Sequence, residues 1–418
     1  MIVNSGATDE DQEGTTNYGK IAKAIGDIKA AGIDVSTADI NHSQFGFAPD
    51  VAEGKILYGL KGLLNVGDDV VQDIINNRPY TSLNDFLSKV NCGKRAVISL
   101  IKGGAFDKFG DRKRIMAEYI WLSCDKKKRI TLQNMNGLIQ RNLLPEELKY
   151  QRECYEFNRY LKNVLTVVDG YYILDDRALA YIDRNYSIDL RVYGNTYALS
   201  QKQWNNIYQK EMDKVREWMT ANQQEALYQL NKTIFKEDWD KYALGNYSAW
   251  EMEALCFYYH EHELKDVNKR LYGIKNFFDL SEEPEIEKYY RRGGADIPLY
   301  RLHRICGTCI AKNKTKGSVS LLTPDGVVNV KFRNEYFNLF DKQISARGND
   351  GVKHVIERSW FNRGSMIMVT GIRRGDDFIA KKYASTSGHQ LYKIEQVLQD
   401  GALKLKTERA TGEAEDDD

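Results

Sequence analysis

Apolar residues recur at helical spacing on both sides of the tripeptide Asn65-Val66-Gly67. The apolar positions are Leu60, Leu63 and Leu64 before it and Val70, Val71, Ile74 and Ile75 after it. This pattern predicts a helix, a tight turn and a second helix. Gly67 can adopt backbone angles that other residues resist, and Asn65 tolerates the left-handed region better than most residues. We expect Val66 to point into the helix pair.

The second helix of this pair is predicted to begin with free backbone N–H groups, which together form an anion site. A helix-hairpin-helix of this kind binds a nucleic-acid phosphate without reading bases. The alternative interpretation is an ordinary packed helical hairpin. Asp68 and Asp69 suit the dipole of the second helix but repel a phosphate, so they favour the alternative.

Three motifs occur in order around this hairpin. They lie at Gly59 to Gly67, at Tyr80 to Phe86 and at Lys94 to Asp107. They resemble the patterns G-L-x-x-I-K-G-V-G, F-x-S-L-x-D-F and N-K-R-x-x-x-x-L-I-K-x-G-A-F-D of the DNA polymerase III α subunit, a C-family replicative polymerase. Asn65 stands where the family has the first glycine of the hairpin. The resemblance implies that duplex DNA is bound by Lys61, Asn65, Val66, Gly67, Lys94, Arg95, Lys102, Arg112, Lys113 and Arg114.

Two further stretches extend the resemblance. Gly32 to Ser43 is similar to the family segment that closes the fingers domain, and Glu251 to Leu264 is similar to E-x-E-x-L-G-F-Y-x-S-x-H-P-L, with Glu263 in place of the proline. The catalytic carboxylates of the family, P-D-x-D-x-D-F, are absent from this sequence. We therefore expect no palm in this chain, and Mg²⁺ only in a palm supplied by a partner chain or a longer parent.

Short alternating segments from Arg301 to Val397 predict an all-β module. Five strands with a helix at Glu335 to Ile344 after the third indicate an OB-fold barrel, which the family carries at this place. OB-folds bind single strands by stacking bases on aromatic rings in a basic groove. The candidate residues are Lys312, Lys314, Lys316, Phe332, Arg373, Arg374, Phe378, Lys381 and Tyr383. The alternative places Phe332 and Phe378 in the barrel core, because strand alternation turns neighbouring side chains to opposite faces.

Charge is distributed unevenly along the 418 residues, although the net charge is only +1. Residues 94–129 contain eleven Lys or Arg against four Asp or Glu, and residues 301–383 contain sixteen against seven. Two basic modules in a nearly neutral chain suggest two surfaces that face phosphates.

Residues 130–247 lack the family resemblance, and Gln201 to Ile234 predicts one or two long amphipathic helices. In the family this region contains a short segment that docks on the sliding clamp, a glutamine followed by apolar and aromatic residues. The candidate consists of Gln229, Leu230, Ile234 and Phe235, and a second one runs from Gln133 to Ile139. The alternative is a glutamine that precedes buried residues in an ordinary helix.

Six cysteines show no disulfide-framework spacing, and the sequence has neither a signal peptide nor an apolar run of membrane-spanning length. We therefore expect reduced thiols, a cytoplasmic protein and no membrane contact. A zinc site is conceivable at His260, His262, Cys306 and Cys309. The spacing does not match a zinc finger, so structural thiols are the preferred interpretation. The adjacent acids Asp175 and Asp176 are interpreted as a solvated turn.

The sequence thus predicts a multidomain α+β protein, mostly helical in its N-terminal and middle parts and closed by a C-terminal OB-fold. The expected segments are residues 1–50 (end of fingers, loose N-terminus), 51–129 (helix-hairpin-helix), 130–300 (helical connection), 301–398 (OB-fold) and 399–418 (acidic tail). The resemblance implies a DNA-binding part of a replicative polymerase. Its partners would be duplex and single-stranded DNA, a chain that carries the palm, and the sliding clamp. The alternatives are a stand-alone single-strand-binding protein and a His/Cys metal enzyme.

Overall fold

The computed structural model describes residues 18–347, 353–385 and 388–416. The chain folds into two compact units. The first comprises Met1–Tyr119 together with Leu244–Asp418, and the second comprises Ile120–Ala243. The segment predicted to be loose, residues 1–16, lies outside the described residues.

The α-helices are the main elements of the first two thirds of the chain. They are α1 (Tyr18–Ala30), α2 (Asp68–Asn76), α3 (Leu83–Lys89), α4 (Lys94–Lys102), α5 (Arg112–Ser123), α6 (Met135–Gln140), α7 (Lys149–Val164), α8 (Asp176–Asn185), α9 (Gln201–Ala221), α10 (Gln223–Tyr242), α11 (Tyr247–Leu255), α12 (Lys269–Tyr272) and α13 (Asn334–Asp341). Within residues 18–347, 353–385 and 388–416, no helix combines the length and the apolar character needed to cross a membrane.

The β-strands are concentrated in the last third of the chain. They are β1 (Asp34–Ser36), β2 (Ala48–Asp50), β3 (Lys55–Leu57), β4 (Val167–Val168), β5 (Tyr171–Ile173), β6 (Arg191–Tyr193), β7 (Thr196–Ser200), β8 (Ile286–Arg292), β9 (Ala295–Tyr300), β10 (His303–Asn313), β11 (Ser318–Thr323), β12 (Gly326–Lys331), β13 (Lys342–Arg347), β14 (Lys353–Glu357), β15 (Met366–Arg374), β16 (Asp377–Ala380), β17 (Leu391–Val397), β18 (Leu403–Lys406) and β19 (Glu413–Asp416).

The helical part of the first unit is organised around α4, whose residues from Ala96 to Lys102 are all buried. Helix α4 packs against α11. In sequence, α11 follows the second unit, which is inserted between Tyr119 and Leu244 of the first unit. The chain just before the Asn65 turn is also hydrogen-bonded to α11. The Tyr58 hydroxyl donates to the carbonyl of Leu255 at 2.8 Å, and the amide of Leu64 donates to the carbonyl of Ala254 at 3.0 Å.

A closed five-stranded barrel forms the C-terminal part of the first unit. The strands follow the order β10-β11-β12-β16-β15, and antiparallel pairing of β10 with β15 closes the barrel. Helix α13 follows the third strand, so the predicted OB-fold is confirmed. The close approach of β15 to β16 requires Gly371, because a Cβ there would lie 2.2 Å from the carbonyl oxygen of Ile379.

Three further groups of strands come before, between or after the barrel strands in the sequence. Strands β17 and β18 extend the barrel sheet from β15, strands β14, β13 and β19 form a separate sheet, and β8 pairs only with β9. The sequence predicts an acidic tail at 399–418, whereas the structure has the strands β18 and β19 there. The buried side chain of Leu403 explains the difference for β18. The sequence also predicts a helical connection at 130–300; helices α6 to α12 lie in that range, together with six strands, β4 to β9, that the prediction did not include.

The second unit combines helices α6 to α10 with a four-stranded antiparallel sheet of order β4-β5-β7-β6. Helices α7 and α9 pack together, and the buried Trp204 of α9 donates its indole N–H to the side-chain oxygen of Asn158 at 3.1 Å. The core of this unit includes Leu138, Cys154, Leu161, Tyr172, Ile182, Leu199, Met212, Val215 and Leu230.

Candidate nucleic-acid interface

The hairpin turn differs in detail from the sequence prediction. Before the turn the chain forms only a short 3₁₀ turn, Leu60–Gly62, and not the predicted α-helix. Asn65 adopts the left-handed conformation with φ of 61°. Gly67 has φ of −75° and ψ of 165°, which any residue can adopt, so the predicted backbone reason for this glycine is wrong. Val66 is buried, as predicted.

Gly67 instead matters for the space in front of α2. It is the residue that precedes the helix, and a Cβ added to it would meet no atom within 4 Å. The first N–H groups of a helix have no partner within the helix. The start of α2 is therefore open to an anion. Two carboxylates, Asp68 and Asp69, lie in the first turn, and the ammonium of Lys61 forms an ion pair with Asp68, which offsets one of the two negative charges.

Helix α4 begins in the same way. Its N-cap is Gly93, with φ of −69° and ψ of 154°, and a Cβ there would also meet nothing within 4 Å. Lys94 and Arg95 occupy the first turn, and Arg95 is exposed. The hairpin region, residues 59–114, therefore contains two helices that begin after a glycine, α2 and α4, and cations lie beside the start of α4.

The predicted basic residues of this region differ in exposure, and Lys61 and Lys94 are half-buried. Arg95, Lys113 and Arg114 are exposed, whereas Lys102 and Arg112 are buried. The ammonium of Lys102 forms an ion pair with Glu253 of α11. We therefore assign Lys102 and Arg112 to packing and not to phosphate binding.

Arg112 is the centre of a buried charge network. Its guanidinium donates to Asp107 at 2.6 and 3.0 Å, and to Glu251 of α11 at 3.0 Å. Burial acts to lower the pKa of Arg112, but the two carboxylates outweigh it and raise the pKa. The other oxygen of Glu251 accepts the amide N–H groups of Tyr259 and His260 at 3.0 and 2.9 Å. The signal for this network is present in the sequence as two glutamates, Glu251 and Glu253, within an otherwise apolar helix.

The aromatic candidates in the barrel lie in its core. Phe332 and Phe378 pack among the buried residues that fill the barrel, and Phe378 has no exposed surface. They are not available to stack on bases, so the alternative interpretation holds for both. Arg373 is also buried, and its guanidinium donates to the carbonyl of Leu280 at 2.7 Å and to that of Gly375 at 2.9 Å. These hydrogen bonds hold the chain before the barrel and are the reason why Arg373 does not face solvent.

The remaining barrel candidates lie on loops and strand ends. Lys314, Lys316 and Arg374 are exposed, and Lys381 and Tyr383 are half-buried. Lys312 differs, because its ammonium lies 2.6 Å from the carboxylate of the buried Asp341. The structure therefore assigns Lys312 to a contact between β10 and α13.

The clamp-binding candidate lies within α10 in the second unit. Leu230 and Ile234 are buried in the core of that unit, and Gln229 bonds to Glu225 one turn earlier at 2.6 Å. A docking segment must offer its apolar side chains to a partner. Because Leu230 and Ile234 already fill the core, the structure does not support this candidate. The second candidate also has Met135 and Leu138 in the core.

The conceivable zinc site does not assemble. Cys309 lies in the barrel core, whereas Cys306 belongs to a separate cluster on the other face of β10, as strand alternation requires for residues three apart. Burial raises the pKa of Cys306 to about 12 and lowers the pKa of His262 to about 4, and His262 contacts the carbonyl of Leu322 at 2.9 Å. Among the described residues, no group of three or more His, Cys, Asp or Glu is placed to hold a metal ion.

The fold and the hairpin geometry define the class of protein, one that combines a helix-hairpin-helix element with an OB-fold barrel. A family model described as "Helix-hairpin-helix motif" matches residues 32–116. The chain is 38% identical over 428 aligned residues to the "Probable DNA polymerase YorL" of Bacillus subtilis (strain 168), and equally to the "DNA-directed DNA polymerase" of Bacillus phage SPbeta. In both cases the alignment covers 98% of this chain and 33% of the relative.

A shorter match connects the chain to bacterial replicases. It is 42% identical over 105 residues to the "DNA polymerase III subunit alpha" of Thermus aquaticus, covering 23% of this chain and 8% of the relative. The chain is therefore a homologue of these DNA polymerases, and the resemblance to the DNA polymerase III α subunit predicted from the motifs is confirmed. This chain spans about a third of the length of the Bacillus subtilis and phage SPbeta relatives.

Proposed function

We propose that this chain is a DNA-binding part of a replicative DNA polymerase, in which the hairpin region grips duplex DNA and the barrel contacts the single-stranded template. The observation that carries the proposal is the open, glycine-capped start of α2 behind the Asn65 turn, beside a second such start at α4. Backbone N–H groups at helix starts bind phosphates without reading sequence. The relatives named as DNA polymerases support the same assignment.

The barrel contribution rests on its fold and its exposed cations. Lys314 and Lys316 lie on the loop between β10 and β11, and Arg374 ends β15 before the turn to β16; loops at these two places bind oligonucleotides in OB-folds. A template strand that leaves the duplex would then meet a second basic surface on the same unit.

We assign nucleotide addition at the primer end to a palm outside this chain. The sequence contains no P-D-x-D-x-D-F carboxylates, and those carboxylates are what holds the two Mg²⁺ ions in the family pattern. The chain therefore supports DNA-templated synthesis only together with a palm, supplied by a partner chain or a longer parent. Contact with the sliding clamp is left without a candidate segment.

Fluorescence anisotropy with the full chain tests the binding role. Duplexes of unrelated sequence should bind with similar affinity, and log affinity should fall steeply with log salt, by about 0.9 per phosphate contact. A flat salt dependence, or binding of one sequence alone, would overturn the role of the hairpin. Primer extension with dNTPs and Mg²⁺ should show no incorporation by the chain alone, and robust incorporation would contradict the absence of a palm.

A further inference from the structure

The β8–β9 ribbon of the first unit is largely exposed, although Ile297 to Tyr300 of β9 are half-buried. In the part of the chain that the structure describes, β8 and β9 pair only with each other, in the register Tyr290 with Ile297 and Arg292 with Ala295. Gly293 and Gly294 connect them with φ of 58° and 83°, the conformation of a two-residue hairpin turn. All seven residues of β8 are exposed. A two-stranded ribbon normally needs a packed face for stability, so this surface is conspicuously unused by the fold.

The side chains of β8 alternate between two faces of the ribbon. One face carries Lys288, Tyr290 and Arg292, and the other carries Tyr289 and Arg291. Arg291 lies 3.8 Å from the carboxylate of Asp296, whereas none of the described residues forms an ion pair with Lys288 or Arg292. The first face therefore combines two cations with an exposed aromatic ring.

The ribbon joins the barrel at the end of β16. The amide of Tyr300, the last residue of β9, donates to the hydroxyl of Tyr383 at 2.8 Å. The ammonium of Lys381 lies 5.3 Å from the centres of both tyrosine rings. In the register of the ribbon, Lys288 lies opposite Leu299, the residue next to Tyr300, so the face that carries Lys288 and Tyr290 begins beside this junction.

Three cations lie along β16 on the barrel side of the junction. Strands β12 and β16 run parallel with Lys331 opposite Ile379, so Arg333 and Lys381, two residues further along each chain segment, come at the same end of the barrel. Arg374 lies at the other end of β16, opposite Asp377. Among the described residues none of the three cations forms an ion pair. Burial is the main cause that lowers the pKa of Lys381, and the charges of Arg333 and Arg374 add to it; a bound phosphate would relieve this repulsion. This row of cations and the ribbon face are thus parts of one basic, aromatic surface.

We infer that the β8–β9 ribbon is an arm of a single-strand DNA site, in which a strand leaving the barrel across Arg333, Arg374 and Lys381 continues along the face of Lys288, Tyr290 and Arg292. The inference rests on the proposed single-strand role of the barrel. Phosphates contact the cations, and a base stacks on Tyr290 without sequence preference. From Lys288 to Arg292 the strand extends about 13 Å, against about 3.4 Å per stacked nucleotide, so the face is long enough for several nucleotides.

Two matched double variants of the full chain test the arm. Tyr290→Ala with Arg292→Ala removes one ring and one cation from the proposed face, and Tyr289→Ala with Arg291→Ala removes the same groups from the other face. Each is titrated by anisotropy with two oligo-dT strands. The short strand, about 8 nucleotides, fits within one OB-fold site, and the long strand, about 20 nucleotides, extends beyond it. For the long oligonucleotide, the first variant should weaken binding about fivefold or more and lower the salt slope by about 0.7.

The expected pattern is selective. The short oligonucleotide should bind all three proteins equally, the second double variant should match the parent protein, and Tyr290→Phe with Arg292→Lys should restore long-oligonucleotide binding. Equal losses in both double variants, or no loss in either, would overturn the arm while leaving the barrel role intact. If the parent protein bound neither oligonucleotide, the proposed single-strand role itself would fail. Circular dichroism of each variant verifies that the ribbon changes leave the fold unchanged.

Discussion

The hairpin region and the barrel belong to one unit, and both are rich in cations, but they use their polar groups differently. In the hairpin region, the groups available to a phosphate are backbone N–H groups at the starts of α2 and α4. In the barrel, backbone N–H groups are engaged in the ladders between strands, so ligand groups must be side chains on loops and strand ends. An exposed lysine or arginine is therefore a more direct indication of a ligand-binding surface in the barrel than in the hairpin region.

Two cations of the hairpin region have a packing role. Lys102 and Arg112 are buried and form ion pairs with Glu253 and Glu251 of α11. Helix α11 is separated from them in sequence by the whole second unit. The charge network thus joins two distant segments into one scaffold that holds the helix starts in place.

The largest expected effect tests this packing role. Replacing Glu251 with Ala leaves the buried guanidinium of Arg112 without one of its two carboxylates and two amide N–H groups without an acceptor. We expect the free energy of unfolding to fall by about 3–5 kcal/mol, measured by urea denaturation and by hydrogen exchange of α11. Replacing the exposed Lys265, which pairs with Glu261, should leave both measurements unchanged. A neutral effect of Glu251→Ala would contradict the network.

The sequence was sufficient for the type and order of elements in two regions, the second helix of the hairpin and the barrel. Helical periodicity located α2, and strand alternation with a helix after the third strand located the barrel. It was insufficient for the direction of individual side chains, because that depends on segments far apart in the chain. Lys102 points to Glu253, 151 residues away, and no local pattern shows which cations have such a partner.

The same limit applies to the turn and to the ribbon. The motif indicated a turn at Asn65-Val66-Gly67 but not which residue adopts the left-handed conformation, because both Asn and Gly tolerate it. The ribbon at 286–300 was hidden because β8, with one aliphatic residue among seven, shows no alternation of apolar and polar residues that would predict a strand. Two adjacent glycines, Gly293 and Gly294, between short polar runs were the available signal.

A second prediction separates the exposed cations of the hairpin region from the buried ones. Changing Arg95, Lys113 and Arg114 to Ala should lower the slope of log duplex affinity against log salt by about 2.7, if each contacts one phosphate. The control, Lys102→Met with Glu253→Gln, removes a buried cation together with its partner and keeps the net charge. Its salt slope should equal that of the parent protein. A lower slope in the control would mean that Lys102 reaches the DNA.

A third prediction concerns the first loop of the barrel. Changing Lys314 and Lys316 to Ala should lower the single-strand salt slope by about 1.4, because each contact to a single strand contributes about 0.7. Duplex binding should remain unchanged. Lys312→Ala should act differently, since it removes the partner of the buried Asp341 and lowers thermal stability. If the loop changes reduced duplex binding instead, the division of labour between the two regions would be wrong.

The smallest effects test the hairpin turn itself, where the conformation and the open space belong to different residues. Asn65→Val forces a β-branched residue into φ of 61°, so we expect about 1–2 kcal/mol less stability. In Gly67→Val the added Cβ meets no atom within 4 Å and the backbone has an ordinary φ, so stability should change less than in Asn65→Val, while the added methyl groups obstruct a phosphate at the start of α2. In urea denaturation, Asn65→Val should therefore lose more stability than Gly67→Val. In duplex titration, Gly67→Val should lose more affinity than Asn65→Val. Unchanged duplex affinity of Gly67→Val would show that phosphate does not approach this helix start.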